Sequence, residues 1–279
     1  MTSLHRHLAA CNNTDLPGGR VPLSIDGALV GWVSPAAAED LRRDTAGFAT
    51  DGAGLALVPG DAAARSAALA AAAQRLAHAG LLRIRGEAFD VRATPEAPAL
   101  AVLDRGAIPV FGVAAQGVHL NGLVRRADGL HIWVGVRAAD KAVAPGKLDN
   151  LVAGGLSAGL TPMECLVKEA GEEAAIPPDL AARARPAGRL GYVMSAREGL
   201  RRDVLHVFDL DLPEDFVPVP DGDEVARFEL WPAARLLEAV RCTEDVKFNV
   251  ALVLIDLFLR HGFLGDPDGG LRAGLDRFR

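Results

Sequence analysis

Three glutamates define the chemistry to look for in this sequence: Glu169, Glu172 and Glu173, within Lys168-Glu169-Ala170-Gly171-Glu172-Glu173. At i, i+3 and i+4 they share one face of a helix within about one turn, so three carboxylates are expected to converge. Like charges at that spacing repel by roughly a few tenths of a kcal/mol each on an exposed helix, and by more in a desolvated cleft. A divalent cation removes the conflict. Mg2+ suits it, being a hard ion that takes oxygen ligands, keeps several waters and is commonly completed by substrate phosphates; Mn2+ is the natural substitute. The bland reading of the same residues is a solvated acidic face.

The residues before this helix add to the pattern. Gly154-Gly155 ends a strand and opens a short loop of small residues, the arrangement a backbone needs for close approach to a ligand. Lys147, Asp149 and Asn150 precede the glycines and are candidates to reach a substrate. Farther along, Arg189, Arg197 and Arg201 are cations that could grip phosphate, each equally readable as surface. His119 and His206 lie inside β-rich runs, where packed, hydrogen-bonded histidines are expected.

A rival chemistry is written into the same loop. Gly155-Leu156-Ser157-Ala158-Gly159 matches G-x-S-x-G, the nucleophile turn of serine hydrolases. In such a turn the helix begins at the serine, whereas here the helix start Thr161-Pro162 comes several residues later, and the late histidines are only His206 and His261. Ser157 therefore stands as the alternative nucleophile, and a non-catalytic ligand sensor as a further alternative.

The elements that must position these residues can be read from their patterns. Thr161 as N-cap, Pro162 at the first helical position and Glu164 three residues after Thr161 start a helix that runs to about Ala174. Ahead of it, Val118-Arg125 and His131-Arg137 are β-rich runs joined across Arg126-Ala127-Asp128-Gly129, a hairpin signal, and Leu148-Ala153 reads as one short strand. After it come strands at Ala187-Met194, Val204-Leu210 and Val225-Leu230, and helices near Pro232-Val240 and Asp245-His261.

The first part of the chain reads differently, with strands at Ala28-Val33, Leu55-Val58 and Ala88-Val91, a helix at Pro35-Arg43 and a long Ala-rich helix over Asp61-Leu82. Pro95-Val113 reads as connective, which places a boundary near residue 110: a small α+β unit over 1–110 and a second domain over 111–279.

Composition narrows the partners. A formal net charge of -6 with no dense Lys/Arg block argues against polymeric nucleic acid. Cys11, Cys165 and Cys242 are too few and too scattered for a disulfide framework and read as reduced thiols, so a cytoplasmic protein is expected. The apolar run Val250-Leu259 is interrupted by Asp256 and falls short of the ~20 residues of a membrane span, so no membrane association is expected. A homodimer stays open.

The stretch Gly154 to Ile176 resembles the Nudix box: Gly, five residues, Glu, seven residues, then Arg-Glu-apolar-x-Glu-Glu-x-Gly-apolar. Gly154, Glu169, Ala170, Glu172, Glu173 and Ile176 match it, while Leu160 replaces the first Glu, Lys168 the Arg and Ala175 the second Gly. Glu164 could supply a substitute i,i+4 partner for Lys168, and Ala175 would be strained if the position needs positive φ.

Outside the box, Gly117-Val118-His119-Leu120-Asn121-Gly122, Lys147 to Gly155 and Asp203 to Leu210 are similar to a Nudix subgroup with an extra N-terminal domain, often labelled thiamine pyrophosphokinase-related. The resemblance implies an α+β fold with a mixed sheet sandwiched between helices, and Mg2+-dependent hydrolysis of a small-molecule diphosphate. It further implies damaged thiamine diphosphate analogues as substrates, cleaved to the monophosphate. Glu169 and Glu173 would hold the metal, Glu172 would be a further ligand or orient water, and Glu172 or Glu224 would serve as base.

Overall fold

The computed structural model describes residues 4–58, 60–141 and 143–276. Its N-terminal part runs α1 (His5–Cys11), β1 (Val21–Ile25), β2 (Ala28–Val33), α2 (Pro35–Arg43), β3 (Phe48–Asp51), β4 (Gly54–Leu57), α3 (Ala62–His78), β5 (Ala88–Val91), β6 (Ala101–Asp104) and α4 (Ile108–Phe111). The first four strands form one sheet in the order β2-β1-β4-β3, and β5 pairs with β6 as a separate ribbon. Leu69, Ala72, Ala73 and Leu76 of α3, on one helical face, close a core with Leu23, Ile25, Leu55 and Leu103. The stretch expected to be connective thus contains β6 and α4. Four-residue elements rich in Pro and Gly borders carry too little periodicity to be seen in sequence.

The rest comprises β7 (Ala114–Arg126), β8 (Gly129–Arg137), β9 (Leu148–Asp149), β10 (Val152–Gly155), α5 (Pro162–Ala174), α6 (Pro178–Ala181), β11 (Arg185–Ala196), β12 (Gly199–Asp211), β13 (Val225–Pro232), α7 (Ala233–Cys242), α8 (Phe248–Arg260) and α9 (Gly270–Gly274). Its sheet has the order β11-β12-β7-β8-β13, with β10 on β7 and β9 on β8. The β12–β7 pair is parallel and its neighbours are antiparallel, so the sheet is mixed as expected. The β7–β8 hairpin turns between Arg126 and Gly129, whose φ of 127° only glycine adopts freely.

Alternation along the strands sends each sheet face to a different layer of helix. Val118, Leu120, Phe208 and Leu210 face Leu166 and Ala170 of α5. Leu123, Ile132, Leu205 and Val207 face α8 and α7. Helix α8 is buried around nearly its whole circumference, and its interior Asp256 is neutralised by Arg260 at 2.6 Å, which explains a charge inside so apolar a run. Among the described residues no helix is long and apolar enough to cross a membrane.

The strand expected over Leu148–Ala153 is two strands. Residues 148–149 pair with β8 and 152–155 pair with β7, because β7 gives the same edge first to β10 and then to β8. The chain must cross between them at Asn150-Leu151, and this crossing organises the polar centre described next.

Candidate active site

The helix that carries the three glutamates is set by its own first turn. Thr161 Oγ1 accepts from Glu164 N at 3.3 Å, and Glu164 Oε2 accepts from Thr161 N at 2.8 Å and from its hydroxyl at 2.7 Å, a complete capping box with Pro162 at the first helical position. Glu164 is therefore not the expected partner of Lys168. That ammonium donates instead to Glu172 Oε2 at 2.7 Å and Glu169 Oε1 at 2.9 Å, and these bonds raise its pKa above the ordinary lysine value. The helix closes at Ala175, whose φ of 51° confirms that the position needs the left-handed conformation.

The three carboxylates do not form one cluster, contrary to the expectation from spacing alone. Lys168 gathers Glu169 and Glu172, while Glu173 turns inward, 8% exposed, and accepts from Ala153 N of β10 at 3.0 Å. Among the described residues no three acidic, His or Cys side chains stand close enough to hold a metal ion as they are placed. Glu173 nevertheless lies within electrostatic reach of Asp149, Glu169 and Glu224. Burial first, then those charges, push its carboxyl up to about 8 against the opposing Ala153 N–H bond.

Gly154 and Gly155 answer a need other than ligand approach. A Cβ on Gly154 would fall 2.5 Å from the Glu169 side chain, and one on Gly155 would fall 2.6 Å from the Phe89 ring. The close contacts these glycines permit are with the protein itself.

Lys147, Asp149 and Asn150 separate in space. Lys147 Nζ donates to Glu244 O at 2.7 Å on the surface. Asp149 is buried and accepts from Arg137 at 2.8 Å and Lys247 at 2.9 Å. Burial acts to raise its pKa, but Lys247, His119 and Arg137 outweigh that and leave it below the ordinary carboxylate value. Asn150, buried at the crossing, bonds His119 Nδ1 at 2.9 Å and donates to Asn121 Oδ1 at 2.9 Å; Asn121 in turn donates to Asp209 Oδ1 at 2.9 Å. Asp149 and Asn150 are thus turned inward, one to balance two cations and the other to satisfy polar groups where the strand breaks, rather than lying on a loop edge.

Glu224 is half-exposed and stands on the same side as Glu173. Its carboxylate pairs with Lys141 and lies 3.9 Å from Arg137, which also bonds Asp149 beside Lys247, so three cations (Arg137, Lys141, Lys247) link Glu224 to Asp149. Sequence reading missed these three. Lys247 and Asp149 are 98 residues apart, and no local motif joins them. His119 and His206 are packed and hydrogen-bonded as expected, His206 to Gln116 at 2.7 Å. Arg189 and Arg201 are engaged by Glu96 and Glu198. Ser157 donates to Glu87 at 3.4 Å, while His206 bonds Gln116 and His261 lies 3.8 Å from Asp209, so the serine is hydrogen-bonded to neither late histidine.

A mixed sheet between helices, with a capped acidic helix following a strand that ends in two glycines, is the architecture that the resemblance to the Nudix class implies. The comparisons agree. A NUDIX domain model matches residues 117–249, and a domain of unknown function (DUF4743) matches residues 3–115. The chain is 35% identical to Nudix hydrolase 20, chloroplastic, from Arabidopsis thaliana, over all of this chain and 78% of that protein. It is 37% identical to Nudix hydrolase 24, chloroplastic, from the same plant, over 94% of this chain and 72% of that protein. A crystal structure of DR0079 from Deinococcus radiodurans aligns with a TM-score of 0.47 at 21% identity, covering 60% of this chain and 97% of that one. The chain belongs to the Nudix hydrolase family and is a pyrophosphohydrolase.

Proposed function

We propose that this chain hydrolyses a diphosphate linkage in a small molecule with Mg2+ bound, Mn2+ substituting. The observation that carries this is the inward carboxyl of Glu173, held on β10 through Ala153 N and within electrostatic reach of Asp149, Glu169 and Glu224: oxygen ligands of the kind a hard divalent ion takes, of which Glu169 and Glu224 would exchange their Lys168 and Lys141 partners for the ion. Glu169 and Glu173 would hold the metal, with Glu172 as a further ligand or water-orienting group. When bound, such an ion neutralises the diphosphate and polarises the attacked phosphorus.

The chain's own groups supply the rest. Lys141 and Arg137 offer positive charge to phosphate oxygens, in competition with Glu224. Glu224, with a half-exposed carboxylate, takes the proton from the attacking water as the P–O bond to the leaving phosphate breaks; Glu172 is the other candidate for that proton. The substrate class we favour is a damaged thiamine diphosphate analogue, released as the monophosphate plus inorganic phosphate, on the strength of the motifs around Gly117, Lys147 and Asp203. We also divide the chain near residue 110 and place it in the cytoplasm, with its three cysteines as free thiols.

The test is phosphate release from a panel of diphosphates, oxythiamine diphosphate included, with Mg2+ added and then chelated. Turnover should vanish with chelation and return with Mg2+. Glu224→Gln should lower kcat about 100-fold, within the range for loss of a general base. Turnover that survives full chelation refutes the metal assignment, and an unaltered kcat in Glu224→Gln transfers the proton to Glu172.

A further inference from the structure

Between β10 and α5 the chain runs from Leu156 to Thr161 without regular structure, yet three consecutive residues in its middle, Ser157, Ala158 and Gly159, are met by β5 and the residue before it, Glu87, in the N-terminal part. Ala158 N donates to Ala88 O at 2.7 Å, Gly159 N to Asp90 Oδ2 at 3.3 Å, and Ser157 Oγ to Glu87 Oε1 at 3.4 Å. The buried Phe89 ring sits against Gly155 so closely that a Cβ there would come within 2.6 Å of it. Strand β5 has one edge in its pairing with β6, and its carbonyl at Ala88 serves the loop.

The bracing groups are themselves held. Arg105 donates to Glu87 at 2.7 Å and lies over the Phe89 ring at 5.8 Å, and Arg92 pairs with Asp90 at 2.7 Å. The seam beside them, lined by Phe89, Asp90, Arg92, Gln116 and Leu156, encloses a cavity of about 10 Å3, space for one water at most and for no substrate fragment. Its role is therefore support. The loop's other bonds lie at its two ends: Leu156 N donates to Gln116 O of β7 at 2.9 Å, Leu160 N to Ser157 O at 3.2 Å, and Glu164 caps Thr161, which leaves Ser157, Ala158 and Gly159 to the N-terminal part.

We propose that Glu87, Ala88, Phe89 and Asp90 are positioning residues that hold the Gly155–Thr161 loop. Through it they set the approach of Gly154 to Glu169 and the angle at which α5 presents Glu169 and Glu173. The proposal rests on reading α5 as the diphosphate site. It gives the N-terminal part a task in the reaction without contact with the substrate: a displaced loop would shift the carboxylates by a fraction of an ångström, which lowers turnover more than binding.

The test uses the full chain, with hydrogen exchange of the Ala158 and Gly159 amides read beside kcat and KM. Gly155→Ala, at a position whose backbone accepts alanine, should push the loop off Phe89, speed exchange about tenfold and lower kcat about tenfold with KM within about threefold. Adding Phe89→Leu should restore most of both, which a merely destabilised protein would not do. Asp90→Ala, which leaves the apolar core intact, should speed exchange at Gly159 about fivefold.

Unchanged exchange in both single variants would show that β5 does not hold the loop. Faster exchange with unchanged kcat would show that holding it does not matter to the reaction, and a failure of Phe89→Leu to restore Gly155→Ala would also overturn the proposal. If the unaltered chain cleaves no diphosphate, the reading of α5 is what fails, and the exchange rates alone then decide whether β5 braces the loop.

Discussion

At the scale of single residues, the centre is built from groups whose charge the fold controls. Glu173→Gln keeps an oxygen to accept from Ala153 N while removing an ionisable carboxyl whose charged form burial, Asp149, Glu169 and Glu224 all oppose. The variant should lose Mg2+-dependent phosphate release by at least about 100-fold, yet melt no lower than the unaltered chain, since a buried carboxylate among carboxylates stabilises nothing. Lower melting with retained activity would reverse the assignment. His119 makes a second case: burial first and then the Lys247 charge pull its pKa from 6.5 down to about 4, against Asp149 and the Asn150 bond. The unfolded chain takes up that proton near pH 6.5 and the folded chain only near 4. Stability is therefore full above 6.5, falls as pH drops through that window and stops falling on this account below 4. Urea midpoints measured from pH 7 to 4 should fall less steeply for His119→Gln.

At the scale of elements, α5 is the most local piece of the site. Its cap, its proline and its period are written in consecutive residues, and the structure reproduces them. Its end is where it departs from ideal: Ala175 takes a left-handed conformation that costs an L-residue about 1 kcal/mol. Ala175→Gly should accordingly raise unfolding stability by roughly that amount, provided the extra freedom of the unfolded glycine does not consume it. No gain in a denaturant titration would mean that the strain relieved is no larger than the freedom glycine adds to the unfolded chain. The divided strand β9/β10 shows the opposite situation, because its break depends on β7 sharing one edge between two partners, and nothing in residues 148–155 announces that.

At the scale of the molecule, chain order and spatial order part company at the start. Helix α1 begins the N-terminal stretch, yet Leu4, Leu8 and Cys11 join the core under the large sheet, beside α8. Arg6 donates to the carbonyls of Val240, Arg241 and Thr243, closing the C-terminal end of α7, and His7 bonds Val240 O at 2.7 Å. Arg6→Ala should cost about 2 kcal/mol, because it strips carbonyls at a helix end of a charged donor, and the loss should appear in the cooperative unfolding of the whole chain. An unchanged midpoint would make α1 an ornament.

The sequence by itself determined the acidic helix and its cap, the β-meander before it, the order of strands and helices after it, and the resemblance that led to the Nudix family. These are local patterns in which neighbouring residues carry the whole signal. It singled out Glu224 as a candidate base, but not the Lys141 and Arg137 beside it. Only the tertiary structure decided that Glu173 points inward while Lys168 gathers the other two glutamates, that Asp149 and Asn150 are interior, and that Arg137 and Lys247 pair with Asp149 while Lys141 pairs with Glu224. It alone decided, too, that β5 meets the loop beyond Gly155. The physical reason is common to all of these: burial and pairing of charge depend on residues far apart in the chain, and a period or a spacing cannot state which distant partner will neutralise a given group.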